Sequence, residues 1–250
     1  MDGTFALTNC GQILTMSGRG IIEGGTILVS DGKIVAVEEG GPPPDVETID
    51  AHGLVVTPGL IDAHTHAVFA GSRAHEYELR CSGATYETIA ASGGGILSTV
   101  EAIRKTPEEV LIQDSKVWLV NMFEHGTTTL EIKSGYGLNI ESELKMLRVI
   151  RALAEDLPQD IKATFLGAHS VPLEFKGRKD DYLDHVINDM LPQVASANLA
   201  TSVDMFVEQN YFNASDAENL ANAAEKHSLD LRLHVDPVSY THLTLPTKIV

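Results

Sequence analysis

The stretch that decides the fold is Pro58-Gly59-Leu60-Ile61-Asp62-Ala63-His64-Thr65-His66. An apolar run over residues 54–61 leads into two histidines that lie two positions apart. Alternate residues of a strand point to the same face of a sheet, so both imidazoles can reach one point. Two neutral imidazoles together with an oxygen ligand suit zinc or ferrous iron. The stretch therefore predicts a buried strand that ends at a metal site.

Strands alternate with helices after this stretch. The expected buried strands cover residues 54–61, 128–132, 162–166, 203–207 and 230–235. Helix start signals lie between them, with a capping box at Thr106, an N-cap at Asn139 and a second capping box at Ser215. Repeating strand–helix units predict a parallel sheet covered by helices. Five such units predict an α/β fold with an incomplete (β/α)8 TIM-like barrel.

The N-terminal segment, residues 1–56, consists of short strand-like runs punctuated by glycine. Gly25 to Val29 and Lys33 to Val37 flank Asp31-Gly32, which is a typical two-residue hairpin turn. A module of this size is too small to bury a good core alone. We therefore expect a small β-sandwich-like module over 1–56, followed by a partial barrel over 57–236.

Residues 237–250, PVSYTHLTLPTKIV, do not continue the pattern. A strand in this series should be followed by a loop and a helix, but Pro237, Pro246 and several β-branched residues follow instead. The segment resembles translated cloning sequence, and a genuine C-terminal extension is the alternative. On either interpretation we expect an unfinished barrel and an inactive 250-residue fragment.

The composition limits the partners. Eighteen Lys and Arg residues and 35 Asp and Glu residues give a formal net charge of −17. A field of that sign repels nucleic acid and anionic lipid, so neither is expected as a partner. Cys10 and Cys81 form no disulfide framework, and the sequence shows neither a signal peptide nor a membrane-spanning run. We therefore expect a cytoplasmic protein.

The stretch from Pro58 to His66 resembles the opening metal motif of the amidohydrolase superfamily. Five further segments resemble the imidazolonepropionase family within it, in the right order between about Ile21 and Asp236. They are residues 68–73 (VFAGSR), 82–86 (SGATY), 93–99 (GGGILST), 127–138 (TTTLEIKSGYGL) and 167–172 (GAHSVP). That family hydrolyses the ring of 4-imidazolone-5-propanoate to N-formimidoyl-glutamate in histidine degradation. The resemblance thus implies metal-dependent hydrolysis of a cyclic amide.

The resemblance places His64, His66 and His234 on one metal ion, zinc or iron. His234 ends the fifth expected strand, where the superfamily carries its third histidine ligand; a strand-end histidine bonded to backbone is the alternative. The family has an acidic or amide residue three places later, where this chain has Pro237. It also uses a histidine and a metal-binding aspartate on later strands that this sequence does not contain. The catalytic residues therefore stay unassigned.

The resemblance places Arg73, Tyr136 and His169 on the substrate. Arg73 offers a planar fork for a carboxylate, and its alternative is an ion pair with Glu76 or Glu78. Tyr136 lies in a Ser-Gly-Tyr-Gly loop directly after a strand. The alternative to a substrate-binding role is that Tyr136 is a buried tyrosine of the hydrophobic core. His169 also follows an apolar strand, so we expect it at the same end of the sheet.

Two other functions stay open on the sequence. A nucleobase deaminase or another cyclic amidase would share the metal site, but it would not need Arg73 for a carboxylate. A non-catalytic scaffold on the same fold would be expected to lose metal ligands, yet all three are present. The resemblance also implies a small-molecule substrate with a carboxylate, and it is compatible with a homodimer.

Overall fold

The computed structural model of the chain describes residues 3–83, 94–208 and 210–235. The segment 237–250, which we expect to be a non-native tail, lies outside the described residues. The chain divides into two compact units, Met1–Leu60 and Ile61–Val250.

The N-terminal unit is built from short strands in two small sheets. Its strands are β1 (Thr4–Thr8), β2 (Gln12–Leu14), β3 (Ile21–Glu23), β4 (Thr26–Ser30), β5 (Lys33–Glu38), β6 (Glu47–Asp50) and β7 (Val55–Val56). The strand orders are β5-β4-β1-β6 and β3-β2-β7. A small core fills this unit, formed by Cys10, Ile13, Ile22, Ile27 and Ala51.

The hairpin that the sequence predicts is confirmed. Strands β4 and β5 pair antiparallel, with Ser30 opposite Lys33. Asp31 and Gly32 both adopt positive φ angles, 50° and 73°. Two consecutive residues with positive φ form the mirror-image turn whose twist matches the flanking strands, which explains the Asp-Gly sequence.

The second unit alternates strands and helices. Its strands are β8 (Leu60–Thr65, which begins at the unit boundary), β9 (Thr127–Lys133), β10 (Asp160–Ala168), β11 (Ser202–Val207) and β12 (Asp230–Val235). The described α-helices are α1 (Ala74–Cys81), α2 (Ile96–Lys105), α3 (Glu108–Glu124), α4 (Ile140–Asp156), α5 (Lys179–His185), α6 (Leu191–Ser196) and α7 (Ala214–Lys226). A 3-10 turn covers Leu173–Phe175, and a π-helical turn, Val186–Met190, joins α5 to α6. None of the helices described here combines the length and apolar character needed to cross a bilayer.

The strands of this unit form one sheet in the order β12-β11-β10-β9-β8. The three pairs from β9 to β12 are parallel. The predicted partial barrel is thereby confirmed as a five-stranded half-barrel with intervening helices. On β9, Leu130 and Ile132 belong to the hydrophobic core, so Glu131 and Lys133, at the alternate positions, face the other side of the sheet.

The first barrel strand lies later than the sequence predicts. The apolar run at 54–61 is divided into the end of β7 and the start of β8, with Pro58 between the two strands. Because proline has no N–H, it cannot donate to a sheet ladder there. His64 therefore lies within β8, and His66 directly follows it.

Helices begin close to all three predicted starts, at Glu108, Ile140 and Ala214, but only one of the three predicted N-caps is confirmed. Asn139 caps α4, with its side chain accepting a backbone N–H at 2.8 Å. Pro107, not Thr106, takes the N-cap position of α3; Thr106 is the C-cap of α2, and its hydroxyl donates to a carbonyl of that helix at 2.8 Å. The capping box of α7 pairs Asn213 with Asp216, so it begins two residues before Ser215. Asn213 gains both reciprocal bonds of the box, which makes it the better N-cap.

Candidate metal centre

Three histidines converge at one end of the sheet. One ring nitrogen from each of His64, His66 and His234 lies within 4.8 Å of the other two, and the Nε2 atoms of His64 and His234 are 2.6 Å apart. These two residues lie on β8 and β12, the opposite edges of the described sheet. In a flat sheet, four strand spacings would separate them by about 19 Å. The curvature of the sheet therefore creates the site.

The three imidazoles fit a zinc or iron ion. Burial, together with the neighbouring His169, lowers the pKa of His66 to about 2. Burial and the facing His234 lower the pKa of His64 as well. Within the described residues, the buried Nδ1 atom of His66 has no hydrogen-bond partner. A neutral imidazole is the form that binds a metal, and three of them match the donor set of such sites.

A buried chain of charges leads to this centre. Lys133 Nζ lies 2.7 Å from Glu131 and 2.9 Å from Asp204, and each of these three side chains is at most 4% exposed. Arg232 Nε pairs with Glu131 at 3.0 Å, and Nδ1 of His234 contacts Asp204 at 2.7 Å. Burial alone would raise the pKa of Asp204, but bonding to His234 and Lys133 lowers it to about 2. Two cations and two carboxylates thus compensate one another, with Lys133 buried and Arg232 41% exposed.

Sequence reasoning missed this network, although a signal for it exists. Glu131 and Lys133 are two residues apart in an otherwise uncharged strand, and Arg232 and His234 repeat that spacing on β12. Charged side chains at alternate positions point to one face of a strand. The spacing could have placed these charged side chains on the interior face of the sheet, but it could not have shown which of them form ion pairs.

A buried carboxylate holds the Ser-Gly-Tyr-Gly loop after β9. Glu143 accepts the backbone N–H of Gly135 at 3.0 Å, and those of Gly137 and Leu138 at 2.8 Å each. Gly135 has a φ of +102°, and a Cβ there would meet Nδ1 of His169 at 2.9 Å. Both conditions favour glycine at this position. Glu143 was also missed, because its contacts depend on how α4 packs.

His169 and Tyr136 lie beside the metal centre. The His169 ring stacks on His66 with the centroids 5.0 Å apart, and Tyr136 lies 5.0 Å from His66 and 5.4 Å from His169. Nδ1 of His169 contacts the carbonyl oxygen of Gly135 at 2.9 Å. Because a carbonyl only accepts, Nδ1 carries the proton and Nε2 is left as an acceptor. Burial lowers the pKa of His169 to about 4, so the ring is neutral at pH 7.

Arg73 lines the same cavity as His66. That cavity measures about 440 Å³, and Trp118 and Tyr136 also line it. The Nε and Nη2 atoms of Arg73 lie 2.8 Å and 2.6 Å from one oxygen of the buried Glu76. The ion pair with Glu76, the alternative to a carboxylate clamp, is therefore present. It uses one edge of the guanidinium, whose Nη1 group carries further donors. The substrate role of Arg73 stays a prediction.

The chain is similar in sequence to curated imidazolonepropionases. It is 47% identical over 238 residues to one from Shewanella halifaxensis, covering 91% of this chain and 58% of that protein. It is 45% identical over 225 residues to one from Vibrio cholerae, covering 90% of this chain and 56% of that protein. The resemblance to imidazolonepropionase is confirmed. The chain spans somewhat more than half the length of these relatives, and no family model matches it.

Solved structures agree on the fold. A triazine hydrolase from Arthrobacter aurescens matches with a TM-score of 0.63 at 19% identity, over 93% of this chain and 52% of that one. An atrazine chlorohydrolase variant from the same organism, complexed with zinc and atraton, matches with a TM-score of 0.61 at 18% identity, over 92% and 52% of the two chains. At these identities the likeness shows the amidohydrolase fold alone, as the imidazolonepropionase resemblance implies.

The structure brings together the six residues that the resemblance to imidazolonepropionase singles out. His64, His66 and His234 share one point. The rings of Tyr136 and His169 lie with their centroids 5.0 Å from that of His66, and Arg73 lines the same cavity as His66. Their roles toward a metal and a substrate stay predictions.

Proposed function

We propose that the protein carrying this chain hydrolyses the ring amide of 4-imidazolone-5-propanoate to N-formimidoyl-L-glutamate, with one zinc or iron ion held by His64, His66 and His234. The observation that carries the proposal is the convergence of three imidazoles from β8 and β12 within 4.8 Å. The identity of 47% and 45% to proteins named imidazolonepropionase supports the substrate. The zinc-complexed structural neighbour supports the choice of metal class.

The bound metal would lower the pKa of a water molecule toward about 7 and so supply a nucleophile near neutral pH. The protein's part is to keep His64 and His66 neutral and to bring the three imidazoles together. Burial does the first, since it lowers the pKa of His64 and His66. The curvature of the sheet does the second.

Three side chains suit the rest of the substrate. Nε2 of His169 is an acceptor, so it can bind a ring N–H of the imidazolone beside the histidine cluster. Arg73 can bind the propionate carboxylate with a charge-assisted bond, which a protein of net charge −17 needs for an anionic ligand. Tyr136 lines the same cavity as Arg73. The reaction consumes one water, breaks the ring C–N bond, and leaves a carboxylate and a formimidoyl nitrogen.

We further propose that the protein works in a reducing compartment such as the cytoplasm. Both cysteines, Cys10 and Cys81, are free thiols in the structure. Free thiols are the usual state of cysteines in reducing compartments.

The test uses a chimaera in which residues 1–235 are followed by the remaining C-terminal part of the Shewanella halifaxensis relative, of which the chain covers 58%. We expect the purified chimaera to consume 4-imidazolone-5-propanoate, to form N-formimidoyl-L-glutamate, and to contain about one zinc or iron ion per chain by elemental analysis. A chelator should abolish the activity, and adding back the metal should restore it.

The matched control is His66→Asn in the same chimaera, compared with His125→Asn, which changes an exposed histidine at the end of α3. His66→Asn should lose both metal and activity, and His125→Asn should keep both. A folded, metal-loaded chimaera that leaves the imidazolone intact would refute the substrate. Full activity in a metal-free sample would refute the metal site.

A further inference from the structure

Asp204 is buried next to the metal centre, yet it is not among the residues whose ligand atoms converge. Its side chain is 2% exposed, and its Oδ2 atom lies 2.7 Å from Nδ1 of His234, a buried atom that makes no aligned hydrogen bond within the described residues. The Nε2 atom of the same ring faces His64. Nδ1 and Nε2 project from different sides of an imidazole, so the carboxylate lies behind the ring as seen from the metal centre. Asp204 can therefore orient a ligand, but it cannot replace one from this position.

We propose that Asp204 is the positioning residue of the metal centre: its carboxylate accepts the Nδ1–H of His234 and thereby directs Nε2 to the metal. This inference rests on the metal site of the proposed function. A carboxylate can only accept, so the bond selects the Nδ1-protonated form of the ring and leaves the lone pair on Nε2. His234 lies on an edge strand, and the other two histidines come from the opposite edge. It therefore needs one tautomer and one ring orientation to share a metal ion with them.

The surroundings hold Asp204 in place. Its Oδ2 also binds Lys133 Nζ at 2.9 Å, and its Oδ1 accepts the backbone N–H of Met205 at 2.7 Å. Lys133 is in turn held by Glu131 at 2.7 Å. Both carboxylate oxygens are thus occupied by donors that come from β9, β11 and β12. Asp204 is therefore held by residues of β9 and β11 at 2.7 Å from His234 on β12.

A substitution at position 204 tests the role of the carboxylate. Lys133 lies between two acids, Glu131 and Asp204. Replacing Asp204 with asparagine would place an amide NH₂ or an amide oxygen toward His234 and Lys133, which both donate. Oδ2 of Asp204 faces both of these donors and Oδ1 faces the backbone N–H of Met205, so in either orientation of the amide its NH₂ group meets a donor. Asp204→Asn is therefore a nearly isosteric change that disturbs the orientation of His234.

The experiment measures zinc affinity of the 250-residue chain by competition with a chromophoric chelator. We expect Asp204→Asn to bind zinc 10- to 100-fold more weakly, the usual effect of losing an outer carboxylate partner. The matched control is Asp216→Asn, which removes the same charge from another buried carboxylate, one that caps α7 and pairs with Lys179. The control should bind zinc within about twofold of the unsubstituted chain, since Asp216 is not part of the network.

A second readout needs no substitution. In the zinc-loaded chain with ¹⁵N-labelled histidine, long-range ¹H–¹⁵N spectra should show His234 with its proton on Nδ1 and none on Nε2. A proton on Nε2, or equal zinc affinity in Asp204→Asn and Asp216→Asn, would overturn the role of Asp204 alone. Absence of zinc binding by the unsubstituted chain would overturn the metal site and this inference together. If the circular dichroism spectrum of Asp204→Asn differs from that of the unsubstituted chain, the variant is misfolded. The ¹H–¹⁵N spectrum of His234 in the unsubstituted chain then decides the role of Asp204.

Discussion

Glu143 offers the sharpest test of how the Ser-Gly-Tyr-Gly loop after β9 is held in place. In Glu143→Gln, one carboxylate oxygen becomes an NH₂ group, while three backbone N–H groups, from Gly135, Gly137 and Leu138, still point at the side chain. At least one N–H then faces another donor. A buried donor left without an acceptor costs about 1–3 kcal/mol, and the other bonds lose their charge assistance. We expect a loss of about 2–4 kcal/mol in the free energy of unfolding.

The assay is urea unfolding at pH 8, followed by the fluorescence of Trp118. This residue is the single tryptophan of the sequence and lies on α3, in the same unit as Glu143. The matched control is Glu141→Gln, because Glu141 lies in the same first turn of α4 but is exposed. Both changes remove one negative charge near the helix N-terminus, so the difference between them reports the loop contacts. Equal free energies of unfolding in the two variants would refute the idea that Glu143 holds the loop.

Three further outcomes follow from the site. Lowering the pH from about 6.5 toward 4 should progressively destabilise the second unit. Histidines in the unfolded chain take up protons in this pH range, whereas His66 and His169 have folded pKa values of about 2 and about 4 and resist protonation. The control replaces both His66 and His169 with glutamine. If the urea midpoint of this variant depends on pH as steeply as that of the unsubstituted chain, the prediction is contradicted. Zinc at about 100 times its Kd should stabilise the unsubstituted chain by about 2.7 kcal/mol; a similar rise in Tm for His66→Asn would argue against the site. In the chimaera, Arg73→Ala should lower kcat/KM about 10- to 150-fold, which corresponds to a loss of about 1.5–3 kcal/mol. The control Arg80→Ala changes an exposed position of α1 and should leave kcat/KM unchanged. Equal kcat/KM values in the two variants would show that Arg73 does not bind the substrate.

Short-range patterns determined the parts of this protein that depend on neighbours along the chain. The Asp31-Gly32 turn and the Asn139 cap follow from the conformations that those residue types favour. The pairing of His64 with His66 follows from the two-residue repeat of a strand. The order of strands and helices gave the half-barrel, because parallel strands need helical crossovers.

Local patterns were less reliable where two candidates competed. Ser215 and Asn213 both suit an N-cap, and only the reciprocal bonds with Asp216 select Asn213. Pro58 divides an apolar run that reads as one strand. The N-cap and the strand boundary both depend on which hydrogen bonds form, and the residue type alone does not determine these.

Only the tertiary structure decided which side chains meet. His234 is 170 residues from His64 and lies on the opposite edge of the sheet, yet their Nε2 atoms are 2.6 Å apart. Periodicity along a strand fixes which face a residue occupies, but the curvature that brings two edges together comes from the twist accumulated over all five strands and the helices packed on them. The contacts of Asp204 with Lys133 and of Glu143 with the Gly135 loop arise in the same way. The sequence thus determined the three histidines and the strands that position them, and the curvature of the sheet brought them to one point.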